Sequence, residues 1–373
     1  MNTAANIVEL LLRTAPELAA QAHRLLSPVA DARDELRKHL ITSGRIVKSA
    51  YAGPPPTSIA AVDGGCVREH LYAADLMVAA STTAQGLTGG DLPLVSHEWA
   101  QLLVHESEND RLLSAAMATL ELRALAEIQH EFRILDGSFG TPLIALMTAL
   151  NANSPTVAEA AAALVDDETV SAIGQVCTNY GIVALPKSDS SHAFTDEYKT
   201  LFDLHMPGGD KFMATQILEP GEMLYPIPAK KIGQLHVTTP RNATPTVEAA
   251  VDRLDAAMRP LRTAAQQRRV LVTYSKPDTA DTVVKMEYRV TVPLSTNVDS
   301  EQAAIIEGQH IAAILSGETP GPYLQEPFAQ HAVDVAAKNV SIGTNAINQA
   351  MLALLPAGSE KYIHLLARGY RTS

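Results

Sequence analysis

The sequence predicts a mixed α/β fold, a central sheet flanked by helices, with a helical arm in front of it. Three observations lead there. Short apolar runs at 57–64 and 132–138 read as buried strands, and long segments at 107–131, 246–265 and 299–316 carry helical periodicity. The break Gly53-Pro-Pro-Pro56 stiffens the chain, ends helix, and separates all of this from two leading helical segments.

Those two segments span 5–27 and 29–49. Ile7, Leu10, Leu11, Leu18, Ala22 and Leu25 form the apolar stripe of the first, and Ala32, Leu36, Leu40 and Val47 that of the second. After the strand at 57–64, residues 71–83 read as its hairpin partner and 91–97 as a third strand. The helix at 107–131 then enters the strand at 132–138, an order of β-β-β-α-β. Helices follow at 141–152 and 156–179, a short strand at 181–185, and a polar loop Lys187-Ser-Asp-Ser-Ser191. Further strands are expected around 233–239, 268–275 and 282–293 beside the helix at 246–265. Helices at 299–316, 325–337 and 343–355 finish the pattern, and the sequence shows no solenoid repeat.

At 373 residues and 46% hydrophobic content the chain has ample material for a buried core. No stretch approaches the roughly 18 apolar residues of a membrane span, and the start Met-Asn-Thr-Ala-Ala-Asn lacks the regions of a signal peptide, so a cytoplasmic protein with no membrane partner is expected. Cys66 and Cys177 are too few for a disulfide framework or a thiolate zinc site. A formal charge of −12 argues against a protein that coats nucleic acid through a broad basic surface. It leaves room for a nuclease, whose acids gather at a metal site, and the first 50 residues run the other way with seven Lys/Arg against five Asp/Glu.

The chemistry concentrates in two matched runs. Ser-Ile-Ala-Ala-Val-Asp63-Gly-Gly and Phe-Arg-Ile-Leu-Asp136-Gly-Ser each drive an apolar strand into an aspartate and break at glycine, which permits a sharp turn and close approach of a ligand. Two such carboxylates at the ends of neighbouring strands repel unless something positive lies between them. A divalent cation with a taste for hard oxygen ligands, Mg²⁺ or Mn²⁺, answers that need. Each Asp-Gly alone is a common turn; the repetition is what favours a metal site.

On the helix leading into the second run, Glu121 has Met117, Ala118, Ala124 and Leu125 at helical spacing, an apolar border where a carboxylate needs a partner. Glu127 sits beside Arg123 and His130 and reads as a solvated face. Further on, His331 can ligate a metal or protonate a leaving group, Tyr323 can orient a phosphate or water, and Lys187 can contact phosphate. A P-loop, a serine nucleophile elbow, a zinc spacing and a dinucleotide fingerprint are all absent from the sequence.

Taken in order, Ala-Val-Asp63-Gly-Gly, the Glu121 helix entering Ile-Leu-Asp136-Gly-Ser, Lys187-Ser, Leu-Glu-Pro-Gly221-Glu, and Tyr323 followed by Pro327 and His331 resemble the NurA family of nucleases over about residues 57–340. The resemblance implies an RNase H-like core and a Mn²⁺-dependent DNA nuclease. It implies a homodimer that works with a hexameric HerA-type translocating ATPase in DNA end processing or antiviral defence. Domains follow as a helical arm over 1–52, a nuclease domain over 57–355 and a tail over 356–373. Carried over by position, Asp63 and Asp136 match the strand aspartates, Glu121 the helix acid, with Glu127 and Glu131 as alternatives, and Tyr323 and His331 the late tyrosine and histidine. The chain departs from the family at Gly65, where Ser is common, and at Gln330, where Ala is common. The implied metal set is Asp63, Glu121, Asp136 and His331, with Lys187 and Tyr323 toward DNA. The implied mechanism is two-metal hydrolysis, with ions about 3.5–4 Å apart around an in-line displacement. Two other readings remain: an actin-like phosphotransferase or ATPase, whose Asp-x-Gly strand ends hold phosphate-bound Mg²⁺, and a non-catalytic adaptor of a ring ATPase.

Overall fold

The computed structural model describes residues 8–356 apart from 10, 52, 89–91, 93, 188–190, 204–207 and 296. The expected tail beyond 356, the first residues of the arm and the middle of the polar loop after Lys187 lie outside the described residues.

Among the described residues ten strands form one mixed sheet in the order β1-β7-β9-β10-β6-β5-β2-β3-β4, with β8 beside β9. Its heart is β2 (Ile59–His70), β3 (Asp75–Gln85) and β4 (Ser96–Leu103) as an antiparallel meander, then β5 (Phe132–Asp136) and β6 (Ile182–Leu185) parallel to β2. That is the RNase H-like arrangement. The sheet continues antiparallel through β10 (Val284–Arg289), β9 (Val270–Lys276), β7 (Glu222–Leu224) and β1 (Ile46–Lys48), with β8 (Ile227–Pro228) on β9.

Helices cover both faces, so the start of β2 and most of β5 and β6 are buried apolar runs. The two-residue period of β2 sorts its side chains. Ala60 and Val62 join one core with α2 (Asn109–Glu127), α3 (Thr141–Leu150), α4 (Pro155–Leu164), α5 (Asp167–Thr178) and α8 (Pro245–Gln266). Ile59 and Ala61 join the other, with α9 (Val298–Gly317) and α10 (Phe328–Ala337). A third core gathers the C-terminal half of α1 (Ala15–Thr42) with α6 (Ala193–Phe202) and α7 (Asp210–Ile217). The last helix, α11 (Val340–Ala353), lies against β2 and β3.

Several expectations are corrected. The leading segments 5–27 and 29–49 are not divided where expected: one helix, Ala15–Thr42, runs through Pro28 after a turn at 13–14, and residues 46–48 are the edge strand β1. Leu36 and Leu40 are buried, and Arg37 holds Glu222 at 2.7 Å, so this half of α1 is fastened to the main body. The segment 156–179 splits at Asp166, whose carboxylate accepts from the Thr169 amide at 2.9 Å and starts a new helix. No strand forms at 233–239: after a single 3₁₀ turn at Ile232–Gln234, Leu235 and Val237 pack on the core from irregular chain. Most consequentially, β2 does not break at its glycines. It continues to His70, and Gly64 and Gly65 keep negative φ.

The glycines serve close approach. Gly64 faces α2, where a Cβ would lie 2.5 Å from Glu121 Oε1; Gly65 faces α10, where a Cβ would lie 2.1 Å from the Ala337 carbonyl oxygen. Gly137, by contrast, is a true turn residue at φ 99°. Because the obstacle at position 65 is backbone, Gly65→Ala is expected to destabilise the protein by about 1–3 kcal/mol, more than any gain from a stiffer unfolded chain. Urea denaturation followed by circular dichroism measures this.

Candidate metal centre

Parallel pairing sets the first two groups level. Val62 is the register partner of Leu135, so Asp63 and Asp136 follow one another across adjacent strands. By the strand period both point to the α10 face, as Ala61 and Ile134 do. On α10, Asp334 completes a trio: one carboxylate oxygen from each of Asp63, Asp136 and Asp334 lies within 4.8 Å of the others. Glu121 comes from the opposite face, its side chain passing the bare Gly64.

Lys187, just beyond the end of β6, places its ammonium among three acids, at 2.9 Å from Asp136 Oδ2, 3.1 Å from Asp334 Oδ1 and 3.3 Å from Glu326 Oε2. Lys211 donates to the Lys187 carbonyl at 2.8 Å and holds that chain in place. Gln330 donates to Asp136 Oδ1 at 2.7 Å and to the Leu185 carbonyl at 3.2 Å, which fixes the orientation of the Asp136 carboxylate. The chain after Gly137 is held by Glu287, which accepts from Ser138 Oγ at 2.7 Å and from the Phe139 amide at 3.1 Å.

Of the sequence-derived candidates, Asp63, Glu121, Asp136 and Lys187 come together. His331 stands half exposed at the margin, its Nδ1 3.5 Å from Glu326 Oε1. Tyr323 is 97% exposed, on the loop before α10. The alternative helix acids point elsewhere: Glu127 meets His97 at 3.3 Å, and Glu131 accepts from the Thr57 amide and hydroxyl at 2.7 and 2.9 Å. Glu326 and Asp334 escaped the sequence reading, which met Gln330 only as a departure from the family pattern. Their signal was the four-residue spacing of 326, 330 and 334 around His331, which puts them on one side of a helix and its entry turn.

The electrostatics are those of an over-acidic cluster. Burial, then the charge of Asp136, pushes the Asp63 carboxyl up to about 6, against the pull of Lys187. Burial, then Asp63 and Asp136, pushes Glu121 up to about 8. Desolvation would lower Lys187, but its bonds to Asp136 and Asp334 and the charge of Glu326 outweigh that and raise it above the usual lysine range. A donor set of carboxylate oxygens on rigid strands and helices, so crowded that a lysine ammonium sits among them, fits a hard divalent ion such as Mg²⁺ or Mn²⁺.

The architecture has solved counterparts. The chain is similar to the crystal structure of the NurA nuclease from Sulfolobus solfataricus, with a TM-score of 0.52 and 11% identity over 94% of this chain and 99% of that chain. This chain has the NurA fold. A second NurA crystal structure matches with a TM-score of 0.51 at 12% identity, covering 93% of this chain and 99% of the other. A third, NurA with manganese, matches with a TM-score of 0.51 at 12% identity, covering 94% and 100%. No family model and no curated protein sequence matches the chain, so the likeness is one of fold.

The raised acids have a consequence for the metal-free protein. A carboxyl raised in the folded state stabilises below its unfolded value, about 4, and that stability is lost as pH rises through about 6 for Asp63 and about 8 for Glu121. Thermal unfolding in chelator is therefore expected at falling temperatures from pH 5 to pH 8. Glu121→Gln, neutral throughout, is expected to flatten the upper part of that slope.

Proposed function

We propose that the chain is a metal-dependent deoxyribonuclease that hydrolyses phosphodiester bonds as an exonuclease or endonuclease. The observation that carries this reading is the convergence of Asp63 within β2, Asp136 at the end of β5 and Asp334 on α10 in a NurA fold, backed by the buried Glu121. The manganese in one NurA crystal structure supports Mn²⁺ as the ion, with Mg²⁺ as the alternative.

When bound, two ions supply an activated water and neutralise charge on the leaving oxygen. Asp63 and Asp136 are the residues to hold them, Asp63 from one strand and Asp136 from the next, with Glu121 and Asp334 completing the carboxylate shell from the two faces of the sheet. Gln330 keeps Asp136 oriented. Lys187 neutralises the acids without metal and has the charge and reach to meet a phosphate oxygen of DNA. The roles proposed for His331 and Tyr323 are a further ligand or proton from the rim and a contact to DNA from solvent.

Asp63→Asn and Asp136→Asn keep size and remove the holding charge. Each is expected to lower Mn²⁺-dependent cleavage of labelled DNA by about 100-fold or more, the upper size seen for loss of a metal-supporting group, with the folded circular dichroism spectrum retained. Chelator is expected to abolish cleavage in the parent protein. Near-normal cleavage by either variant would remove the assignment, and ATP turnover without cleavage would favour the phosphotransferase reading.

The assembly proposed is a cytoplasmic homodimer working with a HerA-type ring ATPase in DNA end processing, for repair or antiviral defence. Two features support it. The sequence carries no motor motif of its own, and the N-terminal region exposes Val8, Leu11 and Leu12 ahead of α1 and Leu18 in its first turns. Among the described residues no helix is long and apolar enough to cross a membrane. Because truncation to residue 54 would remove the buried Leu36 and Leu40 and strand β1, surface changes test the arm more cleanly. Leu11→Asp with Leu18→Asp is expected to halve the mass by light scattering or to abolish co-purification with the ATPase, leaving thermal stability unchanged.

A further inference from the structure

At the far end of β2, seven residues beyond Asp63, lies a second cluster of different chemistry. His70 closes β2 and Asp75 opens β3, paired across the hairpin; His105 follows β4, and Asn109 starts α2. His70 Nδ1 lies 2.7 Å and His105 Nδ1 2.8 Å from the same Asp75 oxygen, Oδ1. The other oxygen, Oδ2, is taken up by Arg68 and by the Asn109 amide, each at 2.7 Å. Asp75 is fully buried, whereas both imidazoles are about half exposed on a cavity of about 430 Å³ that Tyr72, Glu106 and Ser107 help to line.

The decisive detail is the other nitrogen of His105. Nε2 lies 3.3 Å from the Tyr72 carbonyl oxygen. A carbonyl and a carboxylate both only accept, so a neutral His105 ring can donate to one of them and turns a lone pair toward the other, a conflict that either a second ring proton or a metal ion on Nδ1 resolves. A backbone carbonyl on the outer nitrogen and a carboxylate locked by two further donors are the supports that orient ligands at histidine metal sites.

We infer that His70, Asp75 and His105 form a second metal site, for a Zn²⁺-class ion bound by two imidazole nitrogens and one carboxylate oxygen, with the remaining position open to water. The donor set separates it from the carboxylate centre: imidazole suits zinc, whereas oxygen alone suits Mg²⁺ and Mn²⁺. Bonds of about 2.0–2.1 Å in tetrahedral array require the ligand atoms to part by roughly half an ångström from their present spacing, which the exposed histidine rings allow. The ion ties the β2–β3 turn to the connection between β4 and α2. It thus braces the two elements that carry Asp63 and Glu121.

The test uses the full chain carrying Asp63→Asn and Asp136→Asn, so that the carboxylate centre does not compete, stripped with chelator and titrated with Co²⁺ and then Zn²⁺. One equivalent of Co²⁺ should give the intense visible bands of a four-coordinate ion, Zn²⁺ should displace it, and Zn²⁺ should raise the unfolding temperature. His70→Ala with His105→Ala should weaken Zn²⁺ binding about 100-fold or more by calorimetry and abolish both signals. His70→Gln with His105→Gln, which keeps an N–H donor for Asp75 but no imidazole, should do the same and covers a folding defect in the alanine pair. Binding that survives both pairs, or no binding before they are introduced, overturns the site; the latter result would assign the positive centre at His105 to a proton only.

Discussion

Like charges held close in a partly buried place need a counter-charge, and the molecule around the carboxylate centre is arranged by that need. Parallel pairing of β2 and β5 puts Asp63 and Asp136 side by side, α10 adds Asp334, and α2 adds Glu121 from behind. Without a cation, the cluster lowers its own charge by holding a proton on Glu121 up to about pH 8 and on Asp63 only below about pH 6, and by drawing in Lys187. The same strain gives affinity for a divalent ion, since the group that relieves the repulsion best is the one with the highest charge density.

Bringing acids from both faces of a sheet to one point is a steric problem, and adjacent glycines solve it. Gly64 points toward α2 and leaves a passage for Glu121; Gly65 points toward α10 and lets its C-terminal turn press on the strand. Since neither residue needs positive φ, the strand stays intact and continues seven residues past Asp63 to His70. One continuous β2 therefore joins the carboxylate centre to the histidine cluster at the hairpin. The two clusters divide along ligand type, with carboxylates alone at one and two imidazoles beside a carboxylate at the other.

The outer strands extend the RNase H-like heart without entering the centre. β7, β9 and β10 carry the sheet out to β1, and Arg37 on α1 closes the far side through Glu222, whose carboxyl its hydrogen bond helps hold down to about 2 in spite of burial. The first turns of α1 leave Leu18 exposed. A single helix thus serves as a core element at its end and is exposed at its start.

The sequence by itself determined the strand aspartates, the apolar helix around Glu121 and the β-β-β-α-β order, because each depends on periodicity or on a turn residue within a few positions. It also marked Lys187 as a candidate. Only the tertiary structure decided what meets at the centre. Asp334, Glu326 and Gln330 join it because α10 docks across Gly65, a contact between residues some 270 positions apart in the chain. The glycines themselves read locally as breaks, since conformational freedom and room for a neighbour look alike in sequence, and only the packing of α2 and α10 tells them apart. The irregular 235–239 stretch misled for a similar reason: its alternation reports burial against the core, and a strand requires in addition a partner edge that no local pattern encodes. The histidine cluster was silent, because His70 and Asp75 meet through a hairpin register and His105 arrives from the strand beyond.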